Sequence, residues 1–217
     1  MSCNPSNERP NYDFETHFEK SEGLETATYE QTIEYYNNLA ETYSEVSIQA
    51  FGKTDSGKPL HIVTLNADSQ FDFSEIRKNK RILLINNGIH PGESDGIDAT
   101  MLLYRDLALG KITSPKNTTI ATIPIYNVGG SLNRNSATRT NQNGPKEYGF
   151  RGNAQNLDLN RDFVKYLLFI FYYSQINLLD HQYFYSHYSN QMETQSTANL
   201  YRIYNSDLSR SCLFSDK

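Results

Sequence analysis

The chain is poor in cysteine. Among its 217 residues only Cys3 and Cys212 are cysteines, so the sequence excludes a disulfide framework and a metal site of the CxxC type. A bound metal ion must therefore be held by histidine and carboxylate side chains. The chain has five histidines, and they are the first candidates for such a site.

Basic residues are outnumbered and nowhere form a block. There are 20 Lys and Arg against 25 Asp and Glu, which gives a net charge of -5 and a pI near 5.5. This balance argues against nucleic acid or an anionic membrane as the main partner and favours a small or peptide ligand. The hydrophobic content of 37% is ordinary for a globular protein, and the length suffices for one sizeable domain with a buried core.

A long hydrophobic run is also missing. The longest, YLLFIFYY at residues 166–173, is far below the roughly 20 residues that cross a bilayer, and the N-terminus lacks the zones of a signal peptide. These features alone predict a cytosolic protein. The beginning MSCNPSNERP, however, places Cys3 ahead of a polar tail and resembles a bacterial lipoprotein just after its lipidated cysteine. A chance cysteine in a flexible terminus explains the same pattern.

Helical and extended segments alternate along the chain. Apolar residues at spacings of three and four predict a helix at 28–43, capped by Thr26 or Thr28. We expect a second helix in GIDATMLLYRDLAL and a long loop at about 128–156. The expected strands are VSIQAFG and PLHIVTLN, joined by the turn KTDSGK, then the buried strand RILLINN and the strand TTIATIPIYN. This alternation predicts a three-layer α/β domain with a mixed or parallel central sheet.

The loop NNGIHPGESDG follows the strand RILLI and contains His90 and Glu93. In α/β folds ligands collect at the carboxyl ends of the strands. An imidazole and a carboxylate suit zinc, and catalytic zinc sites use three protein ligands with a fourth position open. His90 and Glu93 are therefore candidates for two of three ligands. In the alternative interpretation, His90 caps the loop and Glu93 interacts with the dipole of the following helix.

A second polar group lies in FRGNAQNLDLNRDF. Arg151 precedes Asn160 by nine residues, and Arg161 follows directly. Such groups can bind a carboxylate in a fork or polarise a carbonyl. The alternative is that both arginines are solvated surface groups and that Asn160 is a turn residue.

Taken together, these stretches resemble the zinc carboxypeptidases of the M14 family over residues 29–163. The resemblance is carried by the helix YEQTIEYYNNLAETY, the hairpin FGKTDSGKPLHIVTLN, and the motifs NNGIHPGESDGIDA and NAQNLDLNRDF. It implies a central mixed sheet flanked by helices and a Zn2+ cofactor. On the matching positions it implies that His90 and Glu93 bind zinc, that Arg151 stabilises the oxyanion, and that Asn160 and Arg161 hold the substrate's C-terminal carboxylate.

The resemblance also implies peptide or protein C-termini as substrates and metal-assisted hydrolysis as the reaction. A glutamate would act as general base towards the zinc-bound water. Members of the family are often found in the cell envelope or secreted, which agrees with the lipoprotein-like position of Cys3.

Residues 164–217 depart from the family pattern. The family implies a third zinc ligand and a glutamate base there, but His181 and His187 lie only 21 and 27 residues after Asn160, and Glu193 is the only later glutamate. We expect none of the three to complete the site. All 12 glycines lie at or before residue 152 and all seven prolines at or before residue 145, whereas eight of the 16 tyrosines lie in residues 163–217.

This change in composition predicts three parts. Residues 1–24 form a flexible N-terminal segment, residues 25–163 an incomplete zinc-carboxypeptidase-like domain with a truncated sheet, and residues 164–217 an atypical Tyr-rich tail. The tail is either out of frame or a genuine Tyr-rich subdomain. The leading function is a zinc metallocarboxypeptidase that is inactive if the site is incomplete. The alternatives are a degenerate member that binds carboxylates or peptides without turnover, and a zinc-dependent N-acyl amino acid deacylase.

Overall fold

The computed structural model describes residues 12–161. Within that part of the chain, four strands form one sheet and five α-helices lie around it, followed by a short 3-10 helix at Leu159–Arg161. The strands are β1 (Val46–Lys53), β2 (Pro59–Leu65), β3 (Arg81–Asn86) and β4 (Thr118–Ile123). The helices are α1 (His17–Lys20), α2 (Tyr29–Thr42), α3 (Phe73–Asn79), α4 (Asp95–Ala108) and α5 (Val128–Leu132).

The sheet is mixed, with the strand order β1-β2-β4-β3. β2 pairs antiparallel with β1 and with β4, whereas β3 and β4 run parallel. The predicted α/β fold with a mixed central sheet flanked by helices is confirmed. Because β3 and β4 are parallel, the chain segments that follow them emerge at the same edge of the sheet.

Helix α2 begins and packs as its sequence predicts. Thr28 is the N-cap, and its hydroxyl accepts a hydrogen bond from the backbone of Gln31, whose side chain in turn accepts from the backbone of Thr28. On the inner face Tyr36 and Leu39 are almost completely buried. The ring of Tyr36 packs edge-on against that of Tyr104 in α4, 5.5 Å between centroids.

The prediction that RILLINN is a buried strand is wrong for the described residues. None of the side chains of β3 is fully buried, and Leu83 is 44% exposed. β3 is the last strand in the order given above and pairs with β4 on one side only. Its apolar sequence therefore lies at an edge of the sheet in the part of the chain that the structure describes.

Two further segments frame the site. β4 ends at Ile123, directly before Pro124, and the predicted loop at 128–156 contains α5 and an isolated bridge between Asn135 and Tyr148. Near the N-terminus, α1 belongs to the segment that the sequence predicts to be flexible. In the structure Glu19 of α1 forms an ion pair of 2.6 Å with Arg105 of α4. Among residues 12–161, no helix has the length and apolar character needed to traverse a lipid bilayer.

Candidate metal centre

The turn at residues 87–93 is placed by the end of the parallel strand pair. Beyond β3 and β4 the pairing continues, because the backbone of Tyr126 donates to Asn87 and that of Asn127 to Gly88. Gly88 has φ +64, and a Cβ there would lie 3.3 Å from Cα of Ile125. Glycine thus allows the two segments to approach closely. The turn therefore begins at Asn87, at the carboxyl ends of β3 and β4, three residues before His90.

The side chain of Asn127 joins this turn to the second polar segment of the sequence. Its Nδ2 donates to the carbonyl of Ile89 at 3.3 Å and to that of Arg151 at 3.0 Å. Asn127 itself is 1% exposed. A buried amide whose N–H groups donate to both segments fixes the separation between them. Residues far apart in the sequence are held next to each other here.

His90 lies at the centre of the site with its side chain fully buried. Its Nε2 is 2.9 Å from Oδ1 of Asp158, and its Nδ1 is 3.6 Å from Oε1 of Glu93. Nη1 of Arg151 lies 3.4 Å from the same Nδ1. His90, Glu93 and Arg151, three of the five predicted site residues, therefore converge at one point.

The partners of His90 indicate which ring nitrogen is free to bind a metal. A carboxylate only accepts hydrogen bonds, so the proton of the neutral ring belongs on Nε2, facing Asp158. Nδ1 then carries the lone pair, and it is the nitrogen that faces Glu93. Burial lowers the pKa of His90, but the Glu93 and Asp158 carboxylates beside its two ring nitrogens outweigh this effect and hold the pKa above its usual value.

Glu93 is bound by two neighbours. Its Oε1 accepts a hydrogen bond of 2.8 Å from Nη2 of Arg139 and is the same oxygen that faces His90. The contact with His90 is the largest cause that lowers the pKa of Glu93, and the hydrogen bond from Arg139 adds to it against the effect of burial. Glu93 is therefore present as a carboxylate, the form that binds metal ions.

Asp158 is shared between His90 and Arg151. Its second oxygen accepts from Nε of Arg151 at 2.9 Å and lies 2.9 Å from Nη2. Burial alone would raise the pKa of Asp158, but the hydrogen bonds from His90, from the backbone of Asn160 and from Arg151 hold it below its usual value. The carboxylate thus orients an imidazole and a guanidinium at the same time.

The remaining two predicted residues lie at the end of the described segment. The backbone N–H of Asn160 donates to Oδ1 of Asp158 at 3.0 Å, which ties Asn160 to the cluster. Arg161 is exposed, and its Nη1 donates to the carbonyl of Asn160 at 3.3 Å. The structure therefore brings Asn160 beside the cluster and leaves the guanidinium of Arg161 in solvent.

The donor set fits a zinc ion in part. The 3.6 Å between Nδ1 of His90 and Oε1 of Glu93 is shorter than the sum of two zinc bonds of about 2.0–2.2 Å each, so one ion can bind both. Asp158 contacts the other ring nitrogen and is not a third ligand. Within residues 12–161, no three His, Cys, Asp or Glu side chains group closely enough to hold a metal ion. The sequence candidates His181, His187 and Glu193 lie outside the described residues.

Sequence reasoning missed two residues of this cluster. Asp158 lies inside the motif NAQNLDLNRDF, but its partner His90 is 68 residues away, and no local pattern links them. Arg139 lies in an irregular loop 46 residues after Glu93. The signal that could have identified Asp158 is its position as a carboxylate within a motif that already carries two candidate residues. No comparable signal marks Arg139.

Several solved structures similar to this chain are described as carboxypeptidases. The metallo-carboxypeptidase of Burkholderia cenocepacia is 20% identical, with 64% of this chain and 33% of that chain covered and a TM-score of 0.47. Carboxypeptidase A of Helicoverpa armigera is 20% identical, with 49% and 25% covered and a TM-score of 0.42. Bovine thrombin-activatable fibrinolysis inhibitor, in complex with tick carboxypeptidase inhibitor, is 16% identical, with 84% and 58% covered and a TM-score of 0.48.

This chain spans about a third of the Burkholderia cenocepacia enzyme, a quarter of the Helicoverpa armigera enzyme and 58% of the bovine protein. The comparison with curated proteins gives no match. A family model described as zinc carboxypeptidase matches residues 32–212. That match continues past residue 163, where we expected the resemblance to end. Because it spans well over half of the sequence, the chain belongs to the zinc carboxypeptidase family, peptidase M14.

Proposed function

We propose that this chain is by descent a zinc metallocarboxypeptidase, an enzyme that hydrolyses C-terminal residues from peptides, and that residues 12–161 supply its metal-binding and substrate-binding side chains. The observation that carries the proposal is the convergence of His90, Glu93 and Arg151, with Nδ1 of the imidazole facing both other side chains at 3.6 and 3.4 Å. Membership of the M14 family supports the same reaction class.

His90 and Glu93 would hold the zinc ion. A zinc ion in such a site polarises a carbonyl and lowers the pKa of its bound water towards neutrality. His90 would bind through Nδ1, because Asp158 holds the proton on Nε2. Glu93 would bind as the carboxylate that its low pKa indicates. Residues 12–161 contain no group of three side chains that would include a third ligand.

Arg151 would stabilise the negative charge that develops on the carbonyl oxygen during hydrolysis. Its Nε and Nη2 are engaged by Asp158, whereas Nη1 points towards the lone pair on Nδ1 of His90 at 3.4 Å. A guanidinium fixed in this way needs little reorganisation when the oxyanion forms. Removal of one such donor typically costs about 10²–10³-fold in kcat.

Asn160 and Arg161 would bind the C-terminal carboxylate of the substrate. Arg161 is exposed, and its planar guanidinium can bind both oxygens of a carboxylate. An internal peptide segment or a C-terminal amide offers no carboxylate, so the guanidinium of Arg161 would be left without its partner. This pairing accounts for cleavage at the end of a peptide rather than within it.

A second candidate is a carboxylate-binding protein without turnover. It is favoured by the lack, within residues 12–161, of a third side chain that could complete the metal site. Such a protein would use Arg151, Asn160 and Arg161 to bind peptide C-termini. Binding and turnover must therefore be measured separately.

The test compares two peptides that differ only at the C-terminus, one a free acid and the other an amide. We expect the 217-residue chain with added zinc to bind the free acid at least about tenfold more tightly, which corresponds to about 1.4 kcal/mol for a charge-assisted pair. Arg161→Ala should abolish this preference. Arg81→Ala, at an exposed arginine of β3, is the matched control.

Equal binding of acid and amide would contradict the proposal. Release of the terminal residue from the free acid would identify a peptidase, whereas binding of the acid without any release would identify the non-catalytic candidate. Cleavage of N-acyl amino acids in place of peptides would identify a deacylase.

A further inference from the structure

The loop that contains Arg139 folds over the turn at residues 90–93. Nη2 of Arg139 donates to Oε1 of Glu93 at 2.8 Å, and Nε2 of Gln142 donates to the carbonyl of Gly92 at 3.0 Å. One contact reaches the side chain of the candidate metal ligand and the other reaches the backbone beside it. We call residues 139–142 the clamp segment.

The buried side chain of Tyr148 fixes the position of the clamp segment. The backbone N–H of Arg139 donates to the hydroxyl of Tyr148 at 3.1 Å, and Tyr148 is 1% exposed. The backbones of Tyr148 and Asn135 exchange two hydrogen bonds of 3.0 Å. Asn135 also accepts from two backbone N–H groups at the start of the loop. A guanidinium carried by such a loop has a defined position.

The close approach of the two segments depends on Gly92. A Cβ at this position would lie 2.8 Å from the carbonyl oxygen of Gly149 and 3.0 Å from Cδ of Arg139. Both contacts are tighter than side chains normally make, so only glycine lets the loop close this far. The aliphatic part of Arg139 thus packs against the turn while its head reaches Glu93.

The same oxygen of Glu93 faces Arg139 and Nδ1 of His90. The terminal torsion of a glutamate side chain is broad, and a zinc ligand that adopts several orientations loses entropy when the ion binds. An arginine that holds the carboxylate beside the imidazole removes part of this loss. The ion pair is partly buried, with exposed side-chain fractions of 30% and 24%.

We propose that Arg139 is a positioning residue, which directs the carboxylate of Glu93 towards His90 so that both bind one zinc ion. This inference rests on the proposed function, in which His90 and Glu93 are zinc ligands. An opposing effect exists, since the positive charge of Arg139 repels a divalent cation. The two effects change the zinc affinity in opposite directions when Arg139 is removed. If positioning dominates, removing Arg139 weakens zinc binding, and if repulsion dominates, removing it strengthens binding.

The experiment measures the zinc dissociation constant of the 217-residue chain by competition with a chromogenic chelator. For Arg139→Gln we expect about 10–100-fold weaker binding, the usual effect of losing a group that orients a metal ligand. Arg139→Lys keeps the charge and one donor and should restore part of the affinity. Arg77→Gln, at an exposed arginine of α3, is the matched control and should bind zinc like the unsubstituted chain.

Urea unfolding of the zinc-free variants accompanies this measurement, because weaker zinc binding could also result from a less stable fold. If Arg139 only stabilises the fold, Arg139→Gln lowers the unfolding midpoint. An unchanged midpoint together with weaker binding supports the inference. If Arg139→Gln is destabilised, the comparison of Arg139→Lys with the unsubstituted chain decides. Zinc binding by Arg139→Lys up to the affinity of the unsubstituted chain supports the inference. Tighter binding by Arg139→Lys, or equal or tighter binding by a stably folded Arg139→Gln, overturns it.

The two proposals fail in different ways. If the unsubstituted chain binds zinc through His90 and Arg139→Gln binds it equally well, only the role of Arg139 is wrong. If the unsubstituted chain binds no zinc at His90, the proposed function fails and the inference falls with it.

Discussion

At the scale of single residues, the two nitrogens of His90 have different tasks. Nε2 is committed to Asp158, and this contact fixes both the tautomer and the direction in which Nδ1 points. Asp158 binds Arg151 as well, so an imidazole and a guanidinium share one orienting carboxylate. Loss of Asp158 would therefore disturb the candidate metal ligand and the candidate oxyanion donor together.

Another buried carboxyl group, Asp98 in α4, lies outside this cluster. It is 5% exposed, and burial raises its pKa to about 7, against the lowering effects of hydrogen bonds from Thr26 and Ala27 and of the nearby charge of Arg134. The negative charge of Asp95 raises it further. At neutral pH this group is close to the midpoint of its titration.

Asp98 predicts a pH-dependent stability. Its pKa in the folded state lies above the value of 3.8 expected when unfolded, so the folded state keeps the proton longer. The resulting stabilisation is complete below about pH 4 and is lost as the pH rises to about 7. Relative to Asp98→Asn, which cannot ionise, the free energy of unfolding should fall by a few kcal/mol over this interval.

Urea unfolding of both proteins at several pH values measures this difference, with the exposed Asp68→Asn as the control. Parallel stability curves for the unsubstituted chain and Asp98→Asn between pH 4 and 7 would show that Asp98 has an ordinary pKa.

At the scale of secondary structure, the sequence predicted the positions of helices and strands better than their burial and their distant contacts. The helix at 28–43 was expected with Thr26 or Thr28 as its cap, and the structure selects Thr28. The hydroxyl of Thr26 instead donates to Asp98, 72 residues away, and no local pattern reveals such a partner. β3 was predicted as a strand from its apolar run, but burial depends on which strands lie beside it. The spacing of apolar residues does not show which strands will be neighbours in the sheet.

The turn between β1 and β2 also supports the site. Oδ2 of Asp55 accepts a hydrogen bond of 2.8 Å from the backbone of Ala154, three residues after Arg151. The hairpin thus restrains the loop that presents Arg151 and Asp158. The contact is exposed, so it should matter for the local order of this loop more than for overall stability.

We therefore predict that Asp55→Ala speeds amide hydrogen exchange at Ala154. A hydrogen bond of this kind contributes about 0.5–1.5 kcal/mol, which corresponds to roughly a two- to tenfold faster exchange. The amide of Ala121, buried in β4, should exchange at its original rate. Unchanged exchange at Ala154 would mean that the hairpin turn does not restrain the loop.

At the scale of the whole molecule, the described residues supply only part of the proposed zinc site. The family model covers residues 32–212, whereas the structure describes 12–161. His90, Glu93 and Arg151 could be named as candidates because they lie in two short motifs, the first of which directly follows β3. Asp158 and Arg139 could not be assigned roles, because their partners are far away in the sequence and are reached only through loops.

We also predict that the C-terminal part does not complete the site. His181→Ala and His187→Ala should leave zinc affinity unchanged, and the 217-residue chain should release little or no amino acid from peptides even with added zinc. Without a positioned base the proton-transfer contribution, typically about 10²–10⁴-fold, is lost. A version extended in the alternative reading frame after codon 163 should recover activity. Strong zinc-dependent release by the chain itself, abolished by His187→Ala, would contradict this prediction.

The most direct test of the central claim is the nitrogen NMR spectrum of the His90 imidazole during a zinc titration of the full chain. We predict that zinc shifts the resonance of Nδ1, that Nε2 keeps its proton towards Asp158, and that Glu93→Gln weakens the response. Resonances of His90 that do not move with zinc, or a metal-induced shift centred on Nε2, would contradict the account.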